Sequence, residues 1–159
     1  MQIDLTDRCE QSCIACWLHA PALAEVRGQR LAAGTELPWA VLTQLLEDLS
    51  ALGTERILFS GGGEPLQHPR AWDALAAAVQ CGFHCILETG SLGTDSSDVG
   101  RLIDLGVHEV RVSLWAGTED GYTAVHPGAA SGTFAGITER LAELNRLMID
   151  RPETTLCQV

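Results

Sequence analysis

The chain has 159 residues and a formal net charge of −11 at pH 7, from 21 acidic and 10 basic residues. This length is typical of one domain, and a hydrophobic fraction of 46% is high enough for a packed core, which excludes a disordered chain. The acidic balance excludes a protein that binds nucleic-acid backbones in general. All ten basic residues are arginine, so lysine Schiff-base chemistry and a P-loop lysine are excluded as well.

The expected compartment follows from two features that the sequence lacks. No apolar run approaches the roughly 18 to 20 residues of a membrane-spanning helix, and residues 1–6 have neither the basic nor the apolar region of a signal peptide. We therefore expect a cytoplasmic protein that does not contact membranes. In that reducing compartment, three cysteines within eight residues predict a metal or redox site rather than disulfide bonds.

Segments with the patterns of strands and helices alternate along the chain. We expect strands at residues 1–6, 56–60, 83–89, 107–114 and 154–159, and helices at 38–52, 69–80, 98–105 and 133–148. This alternation predicts an α/β fold with a parallel sheet and right-handed crossovers. A doubly wound sheet and a partial barrel both fit the order, and in either fold ligands bind at the carboxyl ends of the strands.

Residues that could bind a ligand or carry out chemistry stand at those strand ends. Four groups mark the ends of the first four strands. Cys9, Cys13 and Cys16 follow the first strand, and the Gly-Gly-Gly-Glu run of residues 61–64 follows the second. Glu88 and Ser113 stand at the ends of the third and fourth strands. Because parallel strands end at one edge of a sheet, we expect these groups to lie close together. Four signals at one edge indicate a single binding site.

The spacing Cys9-x-x-x-Cys13-x-x-Cys16 allows two kinds of metal site. Three thiolates can hold three irons of a cubane cluster and leave the fourth iron open, or they can occupy three positions around a zinc ion. His19 lies three residues after Cys16 and could complete a zinc set, which is the alternative hypothesis. An electron-transfer site of the ferredoxin type needs a fourth cysteine nearby, and the other three cysteines stand singly.

Charged and small residues beside these motifs have two interpretations each. Arg8 precedes Cys9 and is expected to favour its thiolate. Gly62 and Gly63 lack a Cβ, so the backbone can approach a ligand closely, and Glu64 offers a carboxylate to an ammonium group. Alternatively, this run is an ordinary turn between strand and helix, in which Glu64 faces the positive end of the helix dipole.

Three motifs in chain order resemble those of the radical S-adenosylmethionine (radical SAM) enzymes. The cysteine motif after the first strand resembles the cluster motif of the family. Phe-Ser-Gly-Gly-Gly-Glu-Pro at residues 59–65 resembles its GGE motif, and Ser-Leu-Trp-Ala-Gly at residues 113–117 resembles its strand-four serine segment. The resemblance covers nearly the whole chain. It implies that residues 1–159 belong to one radical SAM core domain.

This resemblance implies a fold, a reaction and a set of site residues. The fold would be a partial TIM-type barrel of about four βα units and a fifth strand. Reductive cleavage of SAM at a [4Fe-4S] cluster would give a 5′-deoxyadenosyl radical that abstracts hydrogen from a substrate C–H bond. The implied cluster ligands are Cys9, Cys13 and Cys16, and the implied SAM contacts are Gly62, Gly63, Glu64, Glu88 and Ser113.

The resemblance also implies partners. An electron donor such as flavodoxin or ferredoxin would reduce the cluster. The strand-four segment favours a peptide or a biosynthetic intermediate as substrate.

The sequence departs from the family pattern at three places. Many members have an aromatic residue immediately before the third cysteine, where this chain has Ala15; Trp17 follows the cysteine instead and is a candidate for the adenine contact. The third strand ends in Glu-Thr-Gly at residues 88–90, where many members have Thr-Asn-Gly. The family's common barrel has six βα units, whereas this sequence ends within the fifth predicted strand. We therefore expect a truncated chain; the alternative is a short member that closes its barrel by pairing with another chain.

Overall fold

The computed structural model describes residues 1–23, 34–92, 95, 97–149 and 155–158. Its strands are β1 (Gln2–Ile3), β2 (Arg56–Phe59), β3 (His84–Thr89), β4 (Glu109–Val112) and β5 (Thr155–Gln158). Its α-helices are α1 (Trp39–Ala51), α2 (Ala71–Gln80), α3 (Ser97–Asp104), α4 (Glu119–Val125) and α5 (Thr133–Met148). Short 3₁₀ helices span Pro21–Leu23 and Pro65–Gln67. Within these ranges, no helix is long and apolar enough to cross a membrane.

The sheet distinguishes between the two folds that the sequence leaves open. Its strands lie in the order β1-β2-β3-β4-β5, and every neighbouring pair is parallel. A doubly wound sheet reverses its strand order at a switch point, whereas the wall of a βα barrel adds each strand beside the previous one. The α/β class and the partial TIM-type barrel are therefore confirmed.

The two faces of the sheet have opposite chemistry. Ile57, Phe59 and Leu87 are fully buried and belong to one apolar cluster with the inner faces of the helices. Because successive side chains of a strand point to opposite faces, Arg56 and Glu109 lie on the other face. There Arg56 Nη2 lies 3.3 Å from Glu109 Oε2 in an ion pair that crosses β3. One face of the sheet forms the core. The other, called the polar face, carries charged side chains together with Leu58 and Ile86.

The predicted strands and helices are all present, with shifted ends, and one helix was not predicted. The helix expected at residues 69–80 begins at Ala71, because the 3₁₀ helix Pro65–Gln67 occupies the start of the connection. The unpredicted helix is α4, which begins after Thr118, whose Oγ1 accepts a hydrogen bond from Gly121 N at 3.2 Å. A threonine followed by two acidic residues was the sequence signal for this helix.

The packing of α1 against the sheet generates a stability prediction. Leu42 is fully buried in the core cluster, whereas Leu52, just after the same helix, is 81% exposed. We expect Leu42→Ala to lower the free energy of unfolding by about 2–5 kcal/mol, because it removes buried methyl groups and leaves a cavity. Leu52→Ala is the matched control and should change it by less than about 0.5 kcal/mol. Urea unfolding measures both; equal losses would contradict this description of the core.

Candidate functional site

A cavity of about 350 Å³ lies at the carboxyl ends of the strands. All eight residues that the sequence analysis selected for the site line this cavity: Cys9, Cys13, Cys16, Gly62, Gly63, Glu64, Glu88 and Ser113. The fold therefore brings together four groups that are up to about a hundred positions apart in the chain. Their roles as ligands remain predictions, but their convergence is a property of the structure.

Two of the three clustered cysteines, Cys9 and Cys13, have raised thiol pKa values. Burial and the neighbouring thiols of Cys9 and Cys16 raise the pKa of Cys13 to about 11. Burial also raises the pKa of Cys9. Cys16 differs in its surroundings, because its sulfur accepts hydrogen bonds from Leu18 N at 3.4 Å and His19 N at 3.1 Å. Three thiolates here need a compensating positive charge, which a bound metal cluster would supply.

The expectation that Arg8 favours the thiolate of Cys9 is wrong. The guanidinium of Arg8 instead forms an ion pair with Glu36, with Nη2 3.0 Å from Oε1. Burial of Cys9 raises its pKa, and the nearby carboxylates of Glu64 and Glu10 act in the same direction. Adjacency in the sequence did not place the guanidinium beside the thiol.

The arrangement of donors favours a cubane cluster over a single zinc ion. A structural zinc needs four ligands at about 2.0–2.3 Å from one point. Among the residues that the structure describes, no three histidine, cysteine, aspartate or glutamate side chains converge in that way. In a cubane each thiolate binds a different iron, so the ligands surround a larger volume. Cys9, Cys13 and Cys16 all line one cavity, as the ligands of a cubane would, and the zinc set with His19 has no support.

The glycine turn is shaped by contact with the start of the chain. Gly61 has a φ of +147°, and a Cβ there would overlap the carboxylate of Asp4. The same carboxylate accepts a hydrogen bond from Gly62 N at 3.2 Å. A Cβ on Gly63 would overlap the backbone of Arg8. The carbonyl oxygen of Arg8 accepts a hydrogen bond from Glu64 N at 2.7 Å. The glycines therefore let the turn pack directly on the cysteine loop, the segment of residues 7–19 that carries Cys9, Cys13 and Cys16.

Glu64 is buried and fully engaged by hydrogen bonds from the protein. Its Oε1 accepts from Thr89 Oγ1 at 2.7 Å and from Leu66 N at 3.1 Å, and its Oε2 accepts from Gly90 N at 2.8 Å. Burial raises the pKa of this carboxyl group, and the three hydrogen bonds oppose the rise. The carboxylate therefore caps the following 3₁₀ helix and ties the glycine turn to the end of β3.

Glu88 and Ser113 lie on the polar face of the sheet, beside the glycine turn. Glu88 is half-buried, and its Oε2 accepts a hydrogen bond from Ser60 Oγ at 2.7 Å. Ser113 N donates to Thr89 O at 2.9 Å, which continues the pairing of β3 and β4 beyond the strand ends. Glu88 and Ser113 both line the cavity in which the cysteines lie.

Two tryptophans stand at the mouth of the cavity. Trp17 is 64% exposed and its ring lies beside Gly62. Trp115 is 48% exposed and has a φ of +51°, a left-handed conformation that bulky residues rarely adopt. Both side chains therefore flank the opening through which a ligand would enter.

Sequence reasoning gave no individual role to four residues of the cavity wall: Gln11, Ser60, Thr89 and Gly90. Each stands next to a selected motif position, so adjacency was the available signal. What the sequence lacked was the partner: the hydroxyl of Thr89 gains its role only by meeting Glu64, which lies 25 positions away.

Comparisons with known proteins agree with this architecture. A family model described as the radical SAM superfamily matches residues 3–157. The structure of BtrN in complex with AdoMet and 2-DOIA is 18% identical, with a TM-score of 0.61, over 99% of this chain and 55% of that one. HydG, described as a maturase of the [FeFe]-hydrogenase, is 14% identical, with a TM-score of 0.66, over 91% of this chain and 32% of that one. An open conformation of BtrN is 23% identical, with a TM-score of 0.56, over 75% of this chain and 52% of that one. The chain thus spans about half or less of these proteins.

The hydrogen bonds of Glu64 generate a pH-dependent prediction. Thr89→Val keeps the shape of the side chain but removes the donor to Oε1, so it should cost about 1–3 kcal/mol of unfolding free energy at pH 7. The lost bond stabilises the charged carboxylate, and burial raises the pKa of Glu64. The cost should therefore shrink as the pH falls from 7 towards the raised pKa of folded Glu64, where the carboxyl group takes up its proton.

Thr138→Val is the matched control for this prediction. Its hydroxyl donates to Ala135 O within helix α5, in a solvent-exposed hydrogen bond of 2.8 Å. We expect a change below about 0.5 kcal/mol at either pH. Urea unfolding at pH 7 and pH 4 checks both variants, and a Thr89→Val cost that does not depend on pH would rule out the charged partner.

Proposed function

The chain belongs to the radical SAM superfamily, and on that premise we propose that it binds a [4Fe-4S] cluster and SAM in one cavity to start a radical reaction. The observation that supports the proposal is the shared cavity, in which three cysteine thiols face the glycine turn and two further polar strand ends. A plain zinc module needs no such turn. When bound, the cluster supplies the electron that cleaves SAM to methionine and a 5′-deoxyadenosyl radical.

The cysteine loop would hold the cluster by three thiolates. Cys9, Cys13 and Cys16 have the required donor chemistry, and a metal cluster would lower the raised thiol pKa values of Cys9 and Cys13 by favouring the thiolate. Three protein ligands leave one iron for SAM. Half-burial of these cysteines would restrict the access of water to the cluster.

The glycine turn would hold the methionine part of SAM mainly through its backbone. The carboxylate of Glu64 already accepts three hydrogen bonds from the protein. Its proposed role is therefore to fix the turn in addition to contacting the ligand. Gly62 and Gly63 would present their backbone groups to the ligand. Glu88 and Ser113 would add a carboxylate and a hydroxyl from β3 and from the end of β4.

The proposed partners and compartment follow from the proposed chemistry. A low-potential electron donor of the flavodoxin or ferredoxin class would reduce the cluster, and a peptide or a biosynthetic intermediate would be the substrate. An oxygen-sensitive cluster with free thiols suits the reducing cytoplasm. Trp17 and Trp115 would limit the entry of solvent at the mouth of the cavity.

Reconstitution with iron and sulfide tests the cluster assignment. Under anaerobic conditions the native chain should take up both elements and, once reduced, give an EPR signal that shifts when SAM is added. Cys13→Ala should lose this signal, because one iron loses its ligand. Cys85→Ala should keep it, since that thiol is fully buried in the core and lies outside the cavity. Equal iron and sulfide contents in the two variants would refute the ligand assignment.

Ser113→Ala tests the SAM site separately from the cluster. We expect this variant to retain the cluster signal but to bind SAM about five- to tenfold more weakly, as for the loss of one hydrogen bond. Ser50→Ala, at an exposed position at the end of α1, is the control. Titration of the EPR shift with SAM gives both affinities. Unchanged affinity in Ser113→Ala would remove this serine from the proposed site.

A further inference from the structure

Gln11 lies within the cysteine loop and has a buried side chain, only 8% exposed. Its Nε2 donates two hydrogen bonds, to Gly90 O at 2.8 Å and to Tyr122 Oη at 3.1 Å. Both N–H groups of the amide are therefore used. Since a buried amide without partners is costly, this pattern fixes the side chain in one orientation.

The other end of the same amide faces a predicted cluster ligand. Gln11 Oε1 lies 3.8 Å from Cys13 Sγ, at the distance of a long hydrogen bond to sulfur. One side chain thus contacts the cysteine loop, the end of β3 and helix α4. These three elements come from widely separated parts of the sequence.

The backbone holds the loop against α4 on both sides of Cys13. Ile14 N donates to Val125 O at 3.0 Å, and Gly128 N donates to Gln11 O at 3.1 Å. Gly128 also packs so closely on the loop that a Cβ would overlap Glu10 O. Helix α4 and the turn after it therefore form a rigid wall for the loop.

Tyr122, which accepts the hydrogen bond from Gln11, is itself held in place. It is fully buried. The ring of His126 stacks on it, with centroids 4.1 Å apart, and His126 Nδ1 donates to Tyr122 O at 3.1 Å. Phe134 packs against the ring from α5, at 5.9 Å. The phenol oxygen is thus a fixed reference point rather than a mobile surface group.

The contact of Gln11 with Gly90 extends to the glycine turn. Gly90 accepts from Gln11 through its carbonyl and donates to Glu64 through its N–H. Because Gln11 belongs to the cysteine loop, its bond to Gly90 and the bond from Gly90 to Glu64 join the loop to the turn through hydrogen bonds between buried groups. The Gln11 amide thus adds a connection between the two halves of the cavity, beside the direct hydrogen bond from Glu64 N to Arg8 O.

We propose that Gln11 is the positioning residue that sets the distance and orientation of the cysteine loop relative to the glycine turn. The inference rests on the proposed function, in which SAM binds the open iron and the turn at the same time. A ligand that contacts two elements loses affinity when their separation fluctuates, because part of its binding energy is then spent on ordering them. Gln11 therefore acts on SAM affinity through the geometry of the site.

Two variants and one control test this role. Gln11→Met keeps the length of the side chain but removes its hydrogen bonds; Tyr122→Phe removes only the hydroxyl that accepts from Gln11. Cys85→Ala is the control for a buried substitution outside the cavity. Each variant of the 159-residue chain is reconstituted anaerobically with iron and sulfide. Iron content, the g-values of the reduced cluster, its midpoint potential and the SAM affinity are measured beside the unfolding temperature.

The expected result separates positioning from general stability. Gln11→Met should bind SAM about tenfold more weakly and shift the g-values, and Tyr122→Phe should weaken SAM binding about threefold in the same direction. Cys85→Ala should unfold at a lower temperature with unchanged SAM affinity. If both site variants lower only the unfolding temperature, Gln11 has no positioning role. If Gln11→Met fails to fold, Tyr122→Phe decides alone, and native SAM affinity in that variant overturns the proposal.

The native protein distinguishes a failure of this inference from a failure of the proposed function. If the native chain takes up no cubane cluster or its signal ignores SAM, the proposed function is refuted. In that case the rate at which iodoacetamide alkylates Cys13 in the metal-free chain still reports on the loop. Tyr122→Phe should raise that rate several-fold and leave Cys85 unreactive; an unchanged rate would count against Gln11 as an anchor of the loop.

Discussion

The buried carboxylate of Glu64 is the constraint on which the site depends. A charge inside a protein is costly unless hydrogen bonds replace its water. Here Thr89 and Gly90 at the end of β3 supply two of those bonds, and the backbone of Leu66 supplies the third. The same requirement therefore fixes the glycine turn relative to the sheet. Once the turn is fixed, its glycines fit against Asp4 and the cysteine loop, and the cavity acquires a defined shape.

The polar face of the sheet explains why the site lies where it does. Side chains two positions apart share a face, so Ser60, Glu88 and Ser113 continue the rows that begin lower down with Arg56, His84 and Glu109. The opposite face is sealed by helices. A ligand that enters the mouth between the tryptophans therefore meets hydroxyl and carboxylate groups, backed by the ion pairs of Glu109 with Arg56 and Arg111.

The glycine turn shows how one sequence feature serves packing and binding together. Close approach to a ligand was one reason to expect glycines at residues 61–63. In the structure, contacts within the chain already require Gly61 and Gly63, since a Cβ would overlap Asp4 or the backbone near Arg8. Gly62 donates to Asp4 as well. A turn held this firmly presents its backbone to a ligand without a further ordering cost, which is what preorganised binding needs.

The sequence by itself determined the order of strands and helices, the clustered cysteines and the strand ends that line the cavity, because these depend on local periodicity and on the polarity of parallel strands. Tertiary structure alone decided the barrel-type strand order, since short apolar runs do not encode which strands pair. It also decided the partners of buried polar groups. Arg8 faces Glu36 rather than Cys9, Glu64 meets Thr89, and Gln11 meets Tyr122 111 positions away. Such pairs form only when packing brings distant segments together, so no local pattern could reveal them.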